Sequence, residues 1–564
     1  MTTREQEFDA IVVGSGISGG WAAKELTEKG LEVLLIERGR NIVPGQDYTG
    51  EHQPPWHFPF RGVGDRRAYD RERPVQRQCY ACTEGSDHFF VKDSEHPYQQ
   101  DPQRPFSWIR GYHLGGRSIT WGRVVPRWGE VNFAENARDG WAPDWPIRYN
   151  DIQKWYDYVE DFAGISGQTD VQYEAAPYGK YLPPIQMNCL EEHVAQVLKE
   201  KFPHIGMMSQ PTAVLSRAHG GRSACHFCGP CHRGCSTGSY FSSLSSTLPA
   251  AEATGKLTKL TDTIVAGLDY DPKTRRVIGV RTIHSKSRVR GTYRSRIVFL
   301  NASTLGTTQI LLLSRSEAFP NGLANSSGVL GHYLMDHVMG PATRGTYDLF
   351  NDRMPVGNRP IGIYVPRFRN LNGKETDFYR GYGFQGGAER LNWTRGMSMP
   401  GFGKNFKHAL RGPGPWRFAL SGFGECLPYY ENRVELDEKR MDQWGIPQLR
   451  ISFQWGENER RMAKDMLDQG EAIHRAAGAI HIERFSELLP GGLTVHEMGT
   501  ARMGRDPKSS VLNGFNQAHD VPNLFVTDGA CMASSAAQNP SITYMALTAR
   551  SADYAITQLK SGAI

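Results

Sequence analysis

Apolar runs and glycine-rich turns alternate at both ends of the chain and give way to a different pattern between them. Asp9-Ala-Ile-Val-Val13 predicts a short buried strand, and Gly14-Ser-Gly16-Ile-Ser-Gly19 opens a helix from about Ile17 to Lys29. Leu31-Glu-Val-Leu-Leu-Ile36 predicts a second strand, ending at Glu37. Strand, helix and strand in this order predict a parallel, right-handed βαβ unit. Arg296–Asn301 predicts another buried strand, with a helix from about Gly306 to Ser314. Near the C-terminus the pattern returns, with a strand at Asn523–Thr527 and a helix from Pro540 to about Lys560. Residues 341–455 lose the β/α alternation, and Gly- and aromatic-rich runs such as Tyr379–Phe384 predict antiparallel strands. Asn150 is the expected N-cap of a helix whose Ile152, Trp155, Tyr156, Val159 and Phe162 share one face. Glu457–Ala477 predicts a second amphipathic helix, and residues 40–105 read as long loops.

A chain of 564 residues is too long for one core, so two or more domains are expected. A net charge of +6, from 65 basic and 59 acidic residues, gives little support for nucleic acid binding. The densest basic stretch, Arg281–Arg296, lies between apolar strands and reads as a solvated hairpin face. No apolar run approaches the length of about eighteen residues that a spanning helix needs. Met1–Phe8 is polar and leads straight into a strand, so no export signal is read and a cytoplasmic location is the direct expectation. Nine cysteines, four of them clustered, do not suggest a disulfide framework. Cys79 and Cys82 read as a local disulfide or two buried thiols.

The first glycine run carries chemistry. Gly14 permits a tight turn, Gly16 lets the backbone approach a pyrophosphate, and Gly19 lets the helix pack on the strand. The helix N-terminus offers free N–H groups and the positive end of its dipole to phosphates. Glu37 stands about twenty residues on, where a carboxylate can bind a ribose diol. Arg38 keeps a 2′-phosphate, and so NADP, open. Asp528-Gly529 after a strand, with a second helix start at Asn539-Pro540, adds a distant anchoring point and favours the longer cofactor FAD.

Cys225, Cys228, Cys231 and Cys235 have the spacing C-x2-C-x2-C-x3-C of a ferredoxin-type ligand run, with Ser236 in place of the usual proline. Gly229, Pro230 and Gly234 supply bends. Cys228-Gly-Pro-Cys231-His232 also fits c-type haem attachment, and Cys228–Cys231 a thioredoxin-like dithiol, but the first leaves the four-cysteine run with its flanking Cys225 and Cys235 as coincidence and the second lacks its βα context. Zinc prefers two separated pairs. An iron–sulfur cluster is the expected reading, giving electrons a one-electron exit that an oxidase does not need.

Four motifs occur in one order: Gly14–Gly19 with Glu37, Gly115-Gly-Arg-Ser-Ile-Thr-Trp-Gly122, His496-Glu-Met-Gly-Thr500 and Asn539-Pro-Ser-Ile-Thr543. With them the whole chain resembles the glucose–methanol–choline (GMC) oxidoreductase family. Within it, the chain is most similar to bacterial sugar dehydrogenase large subunits, glucoside 3-dehydrogenases above all. The resemblance implies an α/β fold, with a Rossmann-like FAD-binding domain over 1–130, 205–340 and 485–564. A substrate domain with a mainly antiparallel sheet would span 131–204 and 341–484. It also implies that Gly116, Ser118, Trp121 and Gly122 pack near the flavin and Val265 near the adenine, with Ser18, Asp528 and Gly529 in the cofactor site. Thr120 stands where some relatives carry a flavin-linked histidine, so no histidyl link is expected.

Oxidising an alcohol removes a hydroxyl proton and a C–H hydride. Neutral imidazole accepts the one near pH 7 and flavin the other. His496 is accordingly expected as the base, and Asn539 as the group orienting the hydroxyl while also capping its helix. Tyr382, Gln385 and Trp393 are candidate sugar contacts, packing within a sheet being the alternative. The expected activity is oxidation of a sugar or glucoside secondary alcohol to a ketone. The alternatives are an oxygen-using oxidase of the same family and a non-catalytic electron-transfer subunit. The resemblance further implies a cluster leaning to [3Fe–4S] over [4Fe–4S], a small partner subunit that carries the folded chain to the periplasm, and a c-type cytochrome acceptor.

Overall fold

In the computed structural model, which describes residues 7–171 and 173–564, the first apolar run forms β1 (Glu7–Val13), followed by α1 (Ile17–Glu28) and β2 (Val33–Ile36). β1 and β2 run parallel, with Ala10 opposite Val33. On the other side of β1 lies β3 (Arg290–Leu300), also parallel, and Leu524–Val526 pairs parallel with β3. Leu257–Leu260 pairs parallel with β2 at the outer edge. All four residues of β2 and the last four of β1 and of β3 are buried. A parallel sheet covered on both faces needs such continuous apolar runs, which is why these strands lack alternation. The seven-stranded sheet is completed by an antiparallel pair, Thr263–Asp271 and Arg276–His284. The predicted basic hairpin lies here, with Val289 at its exposed turn.

The middle of the chain builds a second sheet of six strands, antiparallel throughout. Its centre is β4 (Tyr382–Arg390) beside Trp416–Gly424, with Gln385 opposite Ser421. The expected helix Glu457–Ala476 covers it with Met462, Met466 and Ile473. Bare glycine surfaces at Gly422 and Gly424 let the two methionines sit against the strand, where an added Cβ would overlap their side chains. The α/β class and the mainly antiparallel second sheet are thus as the sequence led us to expect.

Two helix starts differ from expectation. The helix assigned to Asn150 runs over Tyr149–Ala163, and Arg148 is its N-cap, its N–H donating to Asp151 Oδ2 at 2.7 Å. The last helix, α2 (Ser541–Ser561), has Pro540 at the N-cap position and no side-chain cap, so Asn539 does not cap it. α1 and α2 pack on each other. Among the described residues no helix is long and apolar enough to cross a membrane.

Candidate active site

A long cavity opens where the chain leaves β1, β2 and β3, the carboxyl edge at which open α/β sheets bind their ligands. Its first wall is the β1–α1 turn. Gly14 has φ of +94°, and a Cβ there would overlap the carbonyl of Asn301. A Cβ on Gly19 would overlap the carbonyl of Gly14, so this glycine serves packing and does not line the cavity. Gly16 and Ser18 do line it, and nothing lies within 4 Å of a Cβ built on Gly16, which leaves room for a phosphate.

Glu37 closes the turn: one oxygen accepts from Ser15 N (3.2 Å) and Ser15 Oγ (2.5 Å), the other from Gly39 N (2.9 Å). Burial raises its pKa, and these three donors oppose the rise. Arg38 is held over Tyr112 (4.5 Å) and Trp444 (5.2 Å), with Asp442 at 3.7 Å. Val265, Gly116, Ser118, Trp121, Gly122, Asp528 and Gly529 all line the same cavity. Asp528 accepts from Thr307 Oγ1 and Ala530 N, and burial lifts its pKa to about 6. Four lining residues carry a buried polar atom with no protein partner: Arg38 Nε, Arg110 Nε, Asn301 Nδ2 and Tyr544 Oη. Orphaned donors strung along a glycine-edged cleft suit a dinucleotide, so the residues present fit FAD.

His496 and Asn539 line the far part of the cavity, 3.3 Å apart from Nε2 to Nδ2. Behind His496 stands His337, fully buried, which sequence reasoning missed; nothing in Tyr333-Leu-Met-Asp-His337 marks it, and its partner lies 159 positions away. The two Nδ1 atoms are 2.8 Å apart, and His337 Nε2 lies 3.1 Å from the carbonyl oxygen of Ser535. A carbonyl only accepts, so His337 carries its proton on Nε2 and accepts at Nδ1. His496 must then donate from Nδ1, which leaves a lone pair on Nε2 facing the cavity. Burial pushes the His496 pKa well below 6.5, with His337 and Arg117 adding to the effect, and burial pushes His337 down to about 4. Arg117 is itself gripped by Glu497 at 3.0 and 2.6 Å.

The expected sugar contacts fare differently. Tyr382 is fully buried and its hydroxyl donates to Asp465 Oδ2 at 2.6 Å, so it is a sheet-packing residue. Trp393 is 67% exposed on a short turn and is absent from the cavity wall. Gln385 is buried and donates to Asn539 Oδ1 at 2.6 Å.

Cys225, Cys231 and Cys235 are half-buried and Cys228 is exposed, on a loop bent by positive φ at Phe227, Gly229 and Gly234. Cys231 lies electrostatically close to Tyr80 and Arg123, which line the cavity. Soft thiol donors suit an iron–sulfur cluster, but their placement does not: among the described residues no three Cys, His, Asp or Glu side chains converge to hold a metal ion. Cys79 and Cys82 are buried free thiols.

Comparison with known proteins places this geometry. Over 98% of the chain and 96% of the relative, it is 28% identical to the 2-methyl-1,2-propanediol dehydrogenase of Mycolicibacterium austroafricanum. It is 24% identical to the fructose dehydrogenase large subunit of Gluconobacter japonicus, over the full length of both. Among solved structures, pyridoxine 4-oxidase from Mesorbium loti superposes with a TM-score of 0.62 at 16% identity, covering 97% of this chain and 99% of that one, and so shares the fold. The N-terminal GMC oxidoreductase profile matches residues 8–339 and the C-terminal one residues 428–548. With both parts matched along most of its length, the chain belongs to the GMC oxidoreductase family.

Proposed function

We propose that the protein is an FAD-dependent dehydrogenase that oxidises a secondary alcohol of a sugar or glycoside to a ketone. The observation that carries this reading is the pairing of His496 Nε2 with Asn539 Nδ2 in the wall of the dinucleotide cavity. Without substrate the Nε2 lone pair accepts from the Asn539 amide at 3.3 Å; a bound substrate hydroxyl takes that place, donating to Nε2 while its oxygen accepts from the Asn539 amide. His496 takes the hydroxyl proton as the carbinol C–H bond breaks and the carbonyl forms. FAD bound in the cavity supplies the two-electron acceptor for the hydride. Two curated relatives named as dehydrogenases, of a diol and of fructose, favour a carrier other than oxygen as the final acceptor. For an iron–sulfur cluster the support is the spacing of Cys225, Cys228, Cys231 and Cys235 alone, against a placement in which no three metal-ligating side chains converge among the described residues. Iron and acid-labile sulfide in the purified protein, and their loss in Cys228→Ser, test that part separately.

The central test is anaerobic mixing with candidate glycosides while the flavin absorbance is followed, with the oxidised carbon of the product located by NMR. His496→Ala should abolish flavin bleaching by sugar while FAD stays bound. Bleaching at the wild-type rate in that variant would remove His496 from the mechanism.

A further inference from the structure

Asn539 does not choose its own orientation. Its Oδ1 accepts from Gln385 Nε2 at 2.6 Å. Gln385 Oε1 in turn accepts from Gln210 Nε2 at 3.4 Å, and Gln210 Oε1 accepts from the Gly362 N–H at 3.4 Å. Gln210 is pinned there by its own N–H, which donates to the Gly362 carbonyl at 3.2 Å. Continuing beyond Asn539, its Nδ2 donates to His496 Nε2, His496 Nδ1 donates to His337 Nδ1, and His337 Nε2 donates to the Ser535 carbonyl. Every bond in the row thus points the same way. It starts at one main-chain N–H and ends at one main-chain carbonyl, and neither can turn round.

We propose that Gln385, backed by Gln210, is a positioning residue for the alcohol oxidation: it turns the Asn539 amide so that NH2, not the carbonyl oxygen, faces His496 and the substrate hydroxyl. This inference rests on the reading of His496 and Asn539 given above. Its physical basis is the cost of the alternative. Reversing Asn539 alone would set its NH2 against the Gln385 NH2 and its Oδ1 against the His496 lone pair, two contacts of like polarity at a buried site. The orientation matters because the substrate oxygen gains negative charge as its proton leaves. An N–H aimed at that oxygen stabilises it, whereas a carbonyl oxygen in its place repels it. Gln385 therefore contributes from β4 of the antiparallel sheet, on a different sheet from the one that carries the glycine turn, and without touching substrate.

The test uses Gln385→Glu and Gln385→Met in the FAD-loaded enzyme. An ionised carboxylate at this position accepts only, so Asn539 turns its NH2 towards it and presents Oδ1 to His496. The titratable neighbours of His496 are His337 and Arg117, the latter already paired to Glu497. Gln385→Glu should lower the rate of flavin reduction about 100-fold at neutral pH, with the half-saturating substrate concentration changed far less, and the rate should recover as pH falls and the introduced carboxyl group takes up a proton and becomes a donor. Gln385→Met removes the constraint without reversing it and should lose about tenfold, with the pH profile of the parent. A second readout needs no turnover: in the 15N-histidine-labelled parent without substrate, His496 should carry its proton on Nδ1. A resting His496 protonated on Nε2 overturns the proposal whether or not the variants fold. So does Gln385→Glu that tracks the parent at every pH while His496→Ala is inactive. Activity in His496→Ala would instead overturn the function on which the proposal rests.

Discussion

His496 is backed by an imidazole where many histidine bases are backed by a carboxylate. His337 is neutral above about pH 4, so it fixes the tautomer of its partner but offers no charge to the imidazolium that forms. With Arg117 nearby as well, the protonated state of His496 is disfavoured, and the base proposed above stays free over the physiological range. The sign follows: a histidine pKa lowered in the folded protein means that proton uptake, and loss of the base, occur only as pH falls below the ordinary value of about 6.5. The rate of flavin reduction by sugar should therefore hold level from pH 8 down to 6.5 and fall only below it. An acid limb centred above 7 in stopped-flow rates would contradict this. His337→Leu leaves the His496 Nδ1–H without an acceptor and should slow flavin reduction by about tenfold, in keeping with roughly 1–3 kcal/mol for an unsatisfied buried donor. His337→Asn, which can place Oδ1 near the lost Nδ1, should recover part of the rate.

At the level of elements, the β1–α1–β2 unit was legible because two kinds of signal coincide there. The uninterrupted apolar runs demand a sheet buried on both faces, and Gly14 and Gly19 sit where the backbone can accept no Cβ. Gly19→Ala should accordingly cost about 1–3 kcal/mol through overlap with the Gly14 carbonyl and release FAD, read as loss of the bound yellow chromophore on gel filtration. The middle sheet was legible as antiparallel but not side chain by side chain. Tyr382 and Phe384 are both fully buried in β4, so an aromatic there says only that the strand is covered. Asn539 before Pro540 looks like a helix cap by composition. Only the fold brings Gln385 and His496 to it and gives its amide other work. His337 had no local signature at all, since its role comes from a contact across 159 positions.

Across the whole molecule, the cofactor cleft is walled by stretches spread along the chain, from Val13 to Tyr544. Ligand held by so many separated stretches couples them, and a ligand that binds only the folded state stabilises it by mass action. Stripping FAD should lower the thermal midpoint. Restoring it at roughly a hundred times its dissociation constant should return about 2.7 kcal/mol of apparent stability. A midpoint indifferent to FAD would mean that the cleft is not its seat. The cysteine loop is built more tightly than its exposure suggests. A Cβ on Gly234 would overlap the ring of Tyr48, so Gly234→Ala should displace the loop and reduce any iron bound there, measured by metal analysis with FAD content unchanged.

The row of donors and acceptors through Gln210, Gln385, Asn539, His496 and His337 has a final implication for inheritance. Because its two termini are main chain, a reversal introduced at one member has nowhere to dissipate and must be answered by a change at the next. These five positions are thus free to drift only in concert, and in any related sequence where one of them is replaced, a complementary replacement should be found beside it.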